Sequence, residues 1–183
     1  MSAAAGHVAL IGMMGSGKST VGPIVADRMR RPFFDTDSEI ERRTGTTVAD
    51  IFAARGEAAF RAEERTALCC LLASPVPSVI ALGGGAVLDP ESRRRLRAQA
   101  IVVWLEAAPH VLARRLGAGE GRPLLVGDPG ASLRRLAARR RLVYSEVADS
   151  IVEAGSPRPS AVAEAVLEAV SVRHEADAKG DGA

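Results

Sequence analysis

The sequence predicts a three-layer α/β domain in which a five-stranded parallel sheet carries helices on both faces. The chain has 183 residues, 47% hydrophobic and 25% charged, which is enough for one domain with its own core. Short apolar runs alternate with segments of helical periodicity, as is typical of a parallel sheet with crossover helices. A glycine-rich segment stands between the first apolar run and the first helical segment. We expect residues 1–170 to form this single domain and the polar residues 171–183 to be a disordered tail.

The first 72 residues are expected to form two strands and several helices. Residues 7–12 (HVALIG) are an apolar run of strand length, and helical periodicity follows over residues 18–30. Residues 31–35 (RPFFD) predict the second strand, after which the pattern becomes helical again. Thr47 and Asp50 have the spacing of a helix cap. Gly56 is expected to end the helix that they begin, and residues 57–72 form the next one.

The second part of the chain continues the alternation. Asp89 and Pro90 mark a helix start, with Asp as N-cap and Pro at the first helical position. The segment 117–130 is rich in Gly and Pro, and we expect it to be a mobile lid loop. The other predicted elements are strands over residues 78–82, 100–105 and 150–153 and helices over residues 109–116, 133–144 and 160–170.

Composition and charge exclude several classes of protein. The net charge of +2 and the aromatic content of 3% argue against a nucleic-acid binder. The adjacent Cys69 and Cys70 cannot easily bridge each other, so nothing indicates an oxidising compartment. The uncharged residues 66–88 are interrupted by Pro and Gly, which argues against a membrane span. The N-terminus has no positive region before its apolar segment. We therefore expect a cytoplasmic protein, a monomer, with small molecules rather than nucleic acid or membrane as partners.

A phosphate-binding loop is the most specific motif. Residues 12–19 (GMMGSGKS) fit the pattern G-x-x-x-x-G-K-[ST], between a predicted strand and a predicted helix. In such a loop backbone N–H groups surround an anion, the lysine reaches the β- and γ-phosphates, and the hydroxyl can bind Mg²⁺. Arginine supplies 22 of the 24 basic residues, and Lys18 is the lysine inside the predicted domain. No Asn-Lys-x-Asp guanine motif is present. A compact enzyme that phosphorylates a small acceptor fits best.

Four further groups of residues fit phosphoryl transfer, each with a plainer alternative. Asp35 and Asp37 end the second strand, where ligands bind in parallel sheets, with both side chains expected on one face of the strand; one would hold the metal and the other accept a proton. Alternatively, Asp35 ends the strand and Asp37 caps the next helix. Arg61 and Glu64 share a helix face, so the guanidinium is either presented to an anion or forms a surface ion pair.

The remaining two groups are the glycine run and one loop arginine. The run of residues 83–85 (GGG) suggests close approach of a ligand to the backbone, although one glycine could simply form a turn. Arg122 in the expected lid would close over the phosphates, or else is an exposed loop arginine. The arginines of residues 134–141 are expected mostly to form a solvated helix face; a nucleic-acid patch is weakly indicated.

Together these motifs resemble the shikimate kinase family, which has the nucleoside-monophosphate-kinase-like P-loop fold. GMMGSGKST, DTD, ADIF…GE…FR..E, LGGGAV, RPLL and the run R-x-x-x-Y-x-E-V-A at residues 140–148 occur in the family's order and spacing. The resemblance covers about residues 8–170. It implies ATP-dependent phosphorylation of the 3-hydroxyl of shikimate, on the route to chorismate and the aromatic amino acids.

The resemblance also implies a role for each matching residue. Asp35, with Ser19, would hold Mg²⁺; no aspartate ends the third strand, so Asp35 takes that role. Asp37 would bind substrate hydroxyls and act as the base, with Lys18 and Arg122 as the other catalytic residues. Shikimate would be bound by Asp37, Phe52, Phe60, Arg61, Glu64, Gly83, Gly84, Gly85 and Arg140. ATP would be bound by Gly15, Ser16, Gly17, Lys18, Ser19, Thr20, Arg115, Arg122 and Arg158.

Two other functions remain to be separated from this one. A gluconate-kinase-like enzyme would share the loop and an arginine for a carboxylate, but not the joint presence of DTD, FR..E, GGG and R-x-x-x-Y. A non-catalytic ATP-binding regulatory module would lack catalytic groups, whereas Lys18, Asp37 and Arg122 are all present.

Overall fold

A computed structural model confirms the predicted three-layer α/β architecture. It describes the backbone of residues 6–116 and 129–180 and the side chains of residues 6–116 and 130–176. Five parallel strands form one sheet in the order β2-β3-β1-β4-β5. The strands are β1 (His7–Ile11), β2 (Phe33–Asp35), β3 (Val79–Ala81), β4 (Ala100–Glu106) and β5 (Ser150–Glu153). The helices are α1 (Lys18–Met29), α2 (Thr36–Thr44), α3 (Val48–Leu72), α4 (Pro90–Gln99), α5 (Pro109–Leu116), α6 (Pro129–Val147) and α7 (Pro159–Gly180).

The central strand β1 divides the core between the two faces of the sheet. Its residues Ala9 and Ile11 belong to a buried cluster with α3, α4, α5 and α6. Val8 and Leu10, which point the other way, belong to a second cluster with α1 and α7. This alternation follows from the two-residue period of a strand. Because both faces are covered, the carboxyl ends of the strands are left as the place where side chains can meet a ligand.

A third, smaller cluster joins α2 and α3 beyond the edge strand β2. Ile40, Ile51, Phe60 and Ala67 form its buried centre. Gly56 interrupts α3 there with φ 78° and ψ 175°, so the predicted break between two helical segments is confirmed. The predicted caps are confirmed as well: Thr47 accepts a hydrogen bond from the Asp50 N–H, and Asp89 from the Ser92 N–H.

Three expectations about element boundaries were wrong. The strand β2 ends at Asp35, whose side chain caps α2, so Asp37 lies in the first turn of a helix and does not share a strand face with Asp35. Helix α6 is longer than residues 133–144. Helix α7 continues to Gly180, so residues 171–180 are helical rather than disordered, because Ala, Glu, Arg and Lys there favour helix despite their polarity.

The sequence also predicts a lid loop over residues 117–130 and argues against a membrane span. Of the expected lid, residues 117–128 lie outside the described residues, and residues 129 and 130 belong to α6. Among the described helices, none combines the length and the apolar character that crossing a bilayer requires.

Candidate active site

The phosphate-binding loop is a tight turn between β1 and α1. Gly12, Gly15 and Gly17 have φ values of 143°, 80° and 97°, which residues with a Cβ rarely adopt. At Gly12 a Cβ would also lie 2.6 Å from the carbonyl oxygen of Leu105. The loop leads into the N-terminus of α1, whose first N–H groups have no partner within the helix. The conformation therefore requires the glycines of the motif and forms an anion site.

The side chain of Lys18 folds back against the phosphate-binding loop. This side chain is buried, at 9% exposure. Its Nζ donates to the carbonyl oxygens of Gly12 and Met13, at 2.9 and 3.0 Å. The ammonium group is thus positioned inside the turn, where lysine supplies a compact point charge.

Asp35 forms hydrogen bonds with both the start of α1 and Asp37. One carboxylate oxygen accepts a hydrogen bond from the Ser19 hydroxyl at 2.6 Å. The other accepts from the backbone N–H of Asp37 at 3.0 Å. Between the two aspartates, the buried Thr36 accepts a hydrogen bond from the N–H of Gly83 at 2.9 Å. The ends of β2 and β3 and the start of α1 are therefore joined by side-chain contacts at one edge of the sheet.

The three glycines after β3 are each in contact with a predicted site residue. A Cβ on Gly83 would overlap Glu64 Oε1 and lie 3.2 Å from Asp37 Oδ1. A Cβ on Gly84 would lie 3.1 Å from Nη1 of Arg140. A Cβ on Gly85 would overlap the guanidinium of Arg61. The run is explained by charged side chains that pack directly on the backbone, so a plain turn does not account for it.

Arg61 is held by two glutamates of its own helix. Its Nη1 donates to Glu64 at 2.7 Å, which confirms the expected contact across one turn. Its Nε and Nη2 donate to Glu57 at 3.3 and 3.0 Å. The guanidinium also lies 5.1 Å from the ring centre of Phe60, which stacks on Phe52 at 4.6 Å.

Arg140 reaches the same place from α6. It is 4% exposed, so it is not part of a solvated helix face. One turn further along the same helix, the hydroxyl of Tyr144 donates to the Gly84 carbonyl oxygen at 2.6 Å. Nη1 of Arg140 and Oε1 of Glu64 are nevertheless buried without a hydrogen-bond partner. Such groups are rare because each costs free energy, so they indicate a site for a polar ligand.

Burial controls the acid–base character of the two inner carboxyls. Burial raises the pKa of Asp37, the neighbouring Asp35 raises it further, and Lys18 and Arg61 oppose the rise. Burial also raises the pKa of Glu64, against the effect of Arg61. A carboxylate whose pKa is raised by burial is a better proton acceptor than an exposed carboxylate with an ordinary pKa.

A cleft of about 520 Å³ lies over the phosphate-binding loop. It is lined by Gly15, Ser16, Gly17, Lys18, Ser19, Thr20, Asp35, Asp37, Gly83, Gly84 and Arg115, among others. Arg115 donates to the carbonyl oxygens of Gly15 and Ser156. Arg158 is exposed and does not line this cleft. Arg122 lies outside the described residues, so its role stays a prediction.

The sequence analysis missed three residues that shape the site. Glu57 stands four residues before Arg61, a spacing that indicates contact on a helix. Tyr144 stands four residues after Arg140 and was noted only as part of a motif. Thr36 was likewise noted only as the middle residue of the DTD motif, because its hydrogen bond with the loop after β3 leaves no local pattern. No cluster of three or more His, Cys, Asp or Glu side chains that could hold a metal occurs in the described part of the chain.

The fold and this site define a P-loop kinase that acts on a small molecule. The family model of shikimate kinase matches residues 14–171. A shikimate kinase of Symbiobacterium thermophilum is 49% identical over 146 residues, 78% of this chain and 83% of that protein. One from Burkholderia pseudomallei is 43% identical over 162 residues, 88% of each chain. The chain therefore belongs to the shikimate kinase family, whose members use ATP.

Solved structures agree with this assignment. A shikimate kinase from Acinetobacter baumannii in complex with shikimate has a TM-score of 0.87 and 35% identity, covering 92% of this chain and 94% of its own. A gluconokinase from Sinorhizobium meliloti has a TM-score of 0.62 at 22% identity, covering 93% and 94%. The second likeness extends to the fold alone.

Proposed function

We propose that this chain transfers the γ-phosphoryl group of ATP to the 3-hydroxyl of shikimate, giving shikimate 3-phosphate and ADP. The observation that carries the proposal is the pair of arginines beside the glycine run, with unpartnered polar atoms on Arg140 and Glu64. They lie next to Asp37 and the phosphate-binding loop. A small acceptor with both an anionic end and hydroxyl groups would complete these contacts.

The acceptor's carboxylate would be bound by Arg61 and Arg140. Two guanidinium groups suit a carboxylate because each can offer parallel N–H donors. Glu64 would fix the orientation of Arg61 through its 2.7 Å contact. Gly83, Gly84 and Gly85 would let the ring approach the backbone, and Phe52 and Phe60 would form an apolar wall.

The triphosphate would be bound by residues 15–20, with Lys18 exchanging its loop carbonyls for the transferred phosphate's oxygens. Ser19 and Asp35 provide a hydroxyl and a carboxylate 2.6 Å apart, and hard oxygen donors of this kind suit Mg²⁺. When bound with the nucleotide, Mg²⁺ supplies positive charge at the β- and γ-phosphate oxygens. Arg115 and Arg122 are proposed for the nucleotide side, and Arg158 only for its outer rim.

Asp37 would accept the proton of the 3-hydroxyl as the acceptor oxygen bonds to the γ-phosphorus and the bond to ADP breaks. Its raised pKa supports this role, because a buried carboxylate holds the proton more readily than an exposed one. Its location in the first turn of α2 lets it face the acceptor while Asp35 faces the nucleotide.

We also propose that the chain works as a monomer in the cytoplasm with small molecules as its partners. Among the described residues, the large hydrophobic side chains that are exposed are scattered: Val76, Leu88, Leu142, Ile151 and Val172. On α6, Arg140 is buried and Arg141 pairs with Glu106, so these two arginines contribute little to a nucleic-acid surface. Light scattering across a concentration series tests the oligomeric state.

The function is tested by ADP release from ATP and Mg²⁺ with shikimate, gluconate, nucleoside monophosphates or water as acceptor. We expect saturable turnover with shikimate alone. Turnover with another acceptor would leave the phosphate site valid and overturn the assignment of the acceptor pocket. ATP binding without turnover of any acceptor would favour the regulatory module.

A further inference from the structure

We infer that Glu57 occupies the carboxylate-binding edge of Arg61 in the free enzyme and is displaced by the carboxylate of the acceptor. This inference rests on the proposed function, because it concerns how the same pocket takes its substrate. It makes Glu57 an internal competitor that sets the affinity for a carboxylate, rather than a residue that holds Arg61 ready.

The geometry of the guanidinium is the first argument. A guanidinium binds a carboxylate best through two parallel N–H groups at one edge. A single oxygen of Glu57, Oε1, accepts from both Nε and Nη2, which form such an edge, at 3.3 and 3.0 Å, so Glu57 occupies the edge without making two parallel bonds. Glu64 accepts from Nη1 alone, at 2.7 Å. The two glutamates therefore differ: Glu64 leaves a two-donor edge for a ligand, and Glu57 takes one.

Exposure is the second argument. Glu64 is 3% exposed and is held in the protein interior, whereas the side chain of Glu57 is 56% exposed. An exposed carboxylate can return to water at little cost, since exposed ion pairs contribute little free energy. Glu57 can therefore leave when a substrate carboxylate arrives, while Glu64 stays.

The backbone before Glu57 is the third argument. Glu57 directly follows Gly56, the break in α3 at φ 78°, where a Cβ would meet nothing within 4 Å. Glu57 thus lies at the start of the second helical segment, where a negative charge is also favourable. The favourable effect of this charge on the helix would be the same with any ligand. A test of competition must therefore compare ligands with and without a carboxylate.

The test measures shikimate binding to the full chain by isothermal titration calorimetry. Glu57→Gln removes the competing charge, and we expect the Kd for shikimate to fall about two- to fivefold, the size of an exposed ion pair. Glu63→Gln is the matched control: Glu63 lies on the same helix and pairs with Arg55 at 3.5 Å, and its replacement should leave the Kd unchanged.

Two further measurements separate competition from a structural role. The methyl ester of shikimate lacks the anionic carboxylate, so Glu57→Gln should not improve its binding. In an Arg61→Lys background, which keeps the charge but lacks the planar edge, Glu57→Gln should no longer lower the Kd.

The outcomes distinguish this inference from the proposed function. If the unmodified chain neither binds nor phosphorylates shikimate, the proposed function fails and the inference fails with it. If the chain phosphorylates shikimate but Glu57→Gln raises the Kd or leaves it unchanged, the inference alone is wrong. An equal improvement for the ester would also overturn it.

Discussion

Replacing Gly85 by alanine should weaken shikimate binding without unfolding the chain. Gly85 has φ −108° and ψ −8°, which alanine can adopt, so the backbone is not strained. The added Cβ would lie 2.6 Å from both Cζ and Nη2 of Arg61. Since carbon contacts are comfortable at about 3.5 Å, the guanidinium must move by about 1 Å.

The size of the effect follows from that displacement. A charge-assisted hydrogen bond contributes about 1.5–3 kcal/mol, and a 1 Å error in position can cost about 100-fold in rate. We therefore expect kcat/KM for shikimate to fall by about 10- to 100-fold. The KM for ATP should stay the same, because Gly85 does not line the cleft over the phosphate-binding loop.

The assay is steady-state ADP release with each substrate varied in turn, together with thermal unfolding. Arg61 can move at its flexible end, so the unfolding midpoint should change by less than about 4 °C. Gly155→Ala is the matched control, since its Cβ would meet the end of Glu153 and not a residue that we propose to bind shikimate. An unchanged kcat/KM for shikimate in Gly85→Ala, or an equal rise in the KM for ATP, would refute the reasoning.

Three other changes test separate parts of the site. Lys18→Ala should lower kcat at least about 100-fold in the ADP-release assay while the chain still folds, because the transferred phosphate loses its cation; near-normal turnover would contradict that role. Tyr144→Phe leaves the Gly84 carbonyl without its 2.6 Å donor and should cost about 1–3 kcal/mol of unfolding free energy in urea titrations. Glu64→Gln should change how stability depends on pH. Burial raises the pKa of Glu64 in the folded chain above its pKa in the unfolded chain. The folded wild type therefore loses stability as the pH rises from the unfolded-state pKa to the folded-state pKa, whereas the glutamine variant lacks this loss. The unfolding midpoint of wild type relative to the variant should therefore decrease as the pH rises above the ordinary pKa of a glutamate; a difference that is constant with pH would contradict the pKa shift.

The fold was largely predictable because apolar runs of strand length stand out in a sheet buried on both faces. All five strands agree with their predicted positions to within about two residues. The extension of α7 to Gly180 was missed, because polar helices lack the apolar periodicity on which prediction relies. The position of Asp37 in a helix was missed because the apolar run does not show where the strand ends. The end is set by Asp35, whose side chain caps α2.

Many of the residues that the structure brings together at the candidate site were named from the sequence, whereas most of their contacts were not. Spacing within one helix identified the pair of Arg61 and Glu64, which lies on one turn. Contacts between elements, such as that of Tyr144 with Gly84, arise from tertiary packing and leave no local pattern. The second contact of Arg61, with Glu57, follows the four-residue spacing of a helix, but Glu57 was noted only as the glutamate of the GE pair in a motif.

The carboxylate of Asp35 has a thermodynamic consequence. One of its oxygens holds the hydroxyl of Ser19 and the other the N–H of Asp37. If bound nucleotide and metal altered the first contact, the second contact, to the residue proposed to meet the acceptor, would change with it. Linkage then requires reciprocity: whatever factor nucleotide adds to the affinity for acceptor, acceptor must add to the affinity for nucleotide. Asp35 would in this way couple the two proposed ligands through a single side chain, even though they would occupy different parts of the site.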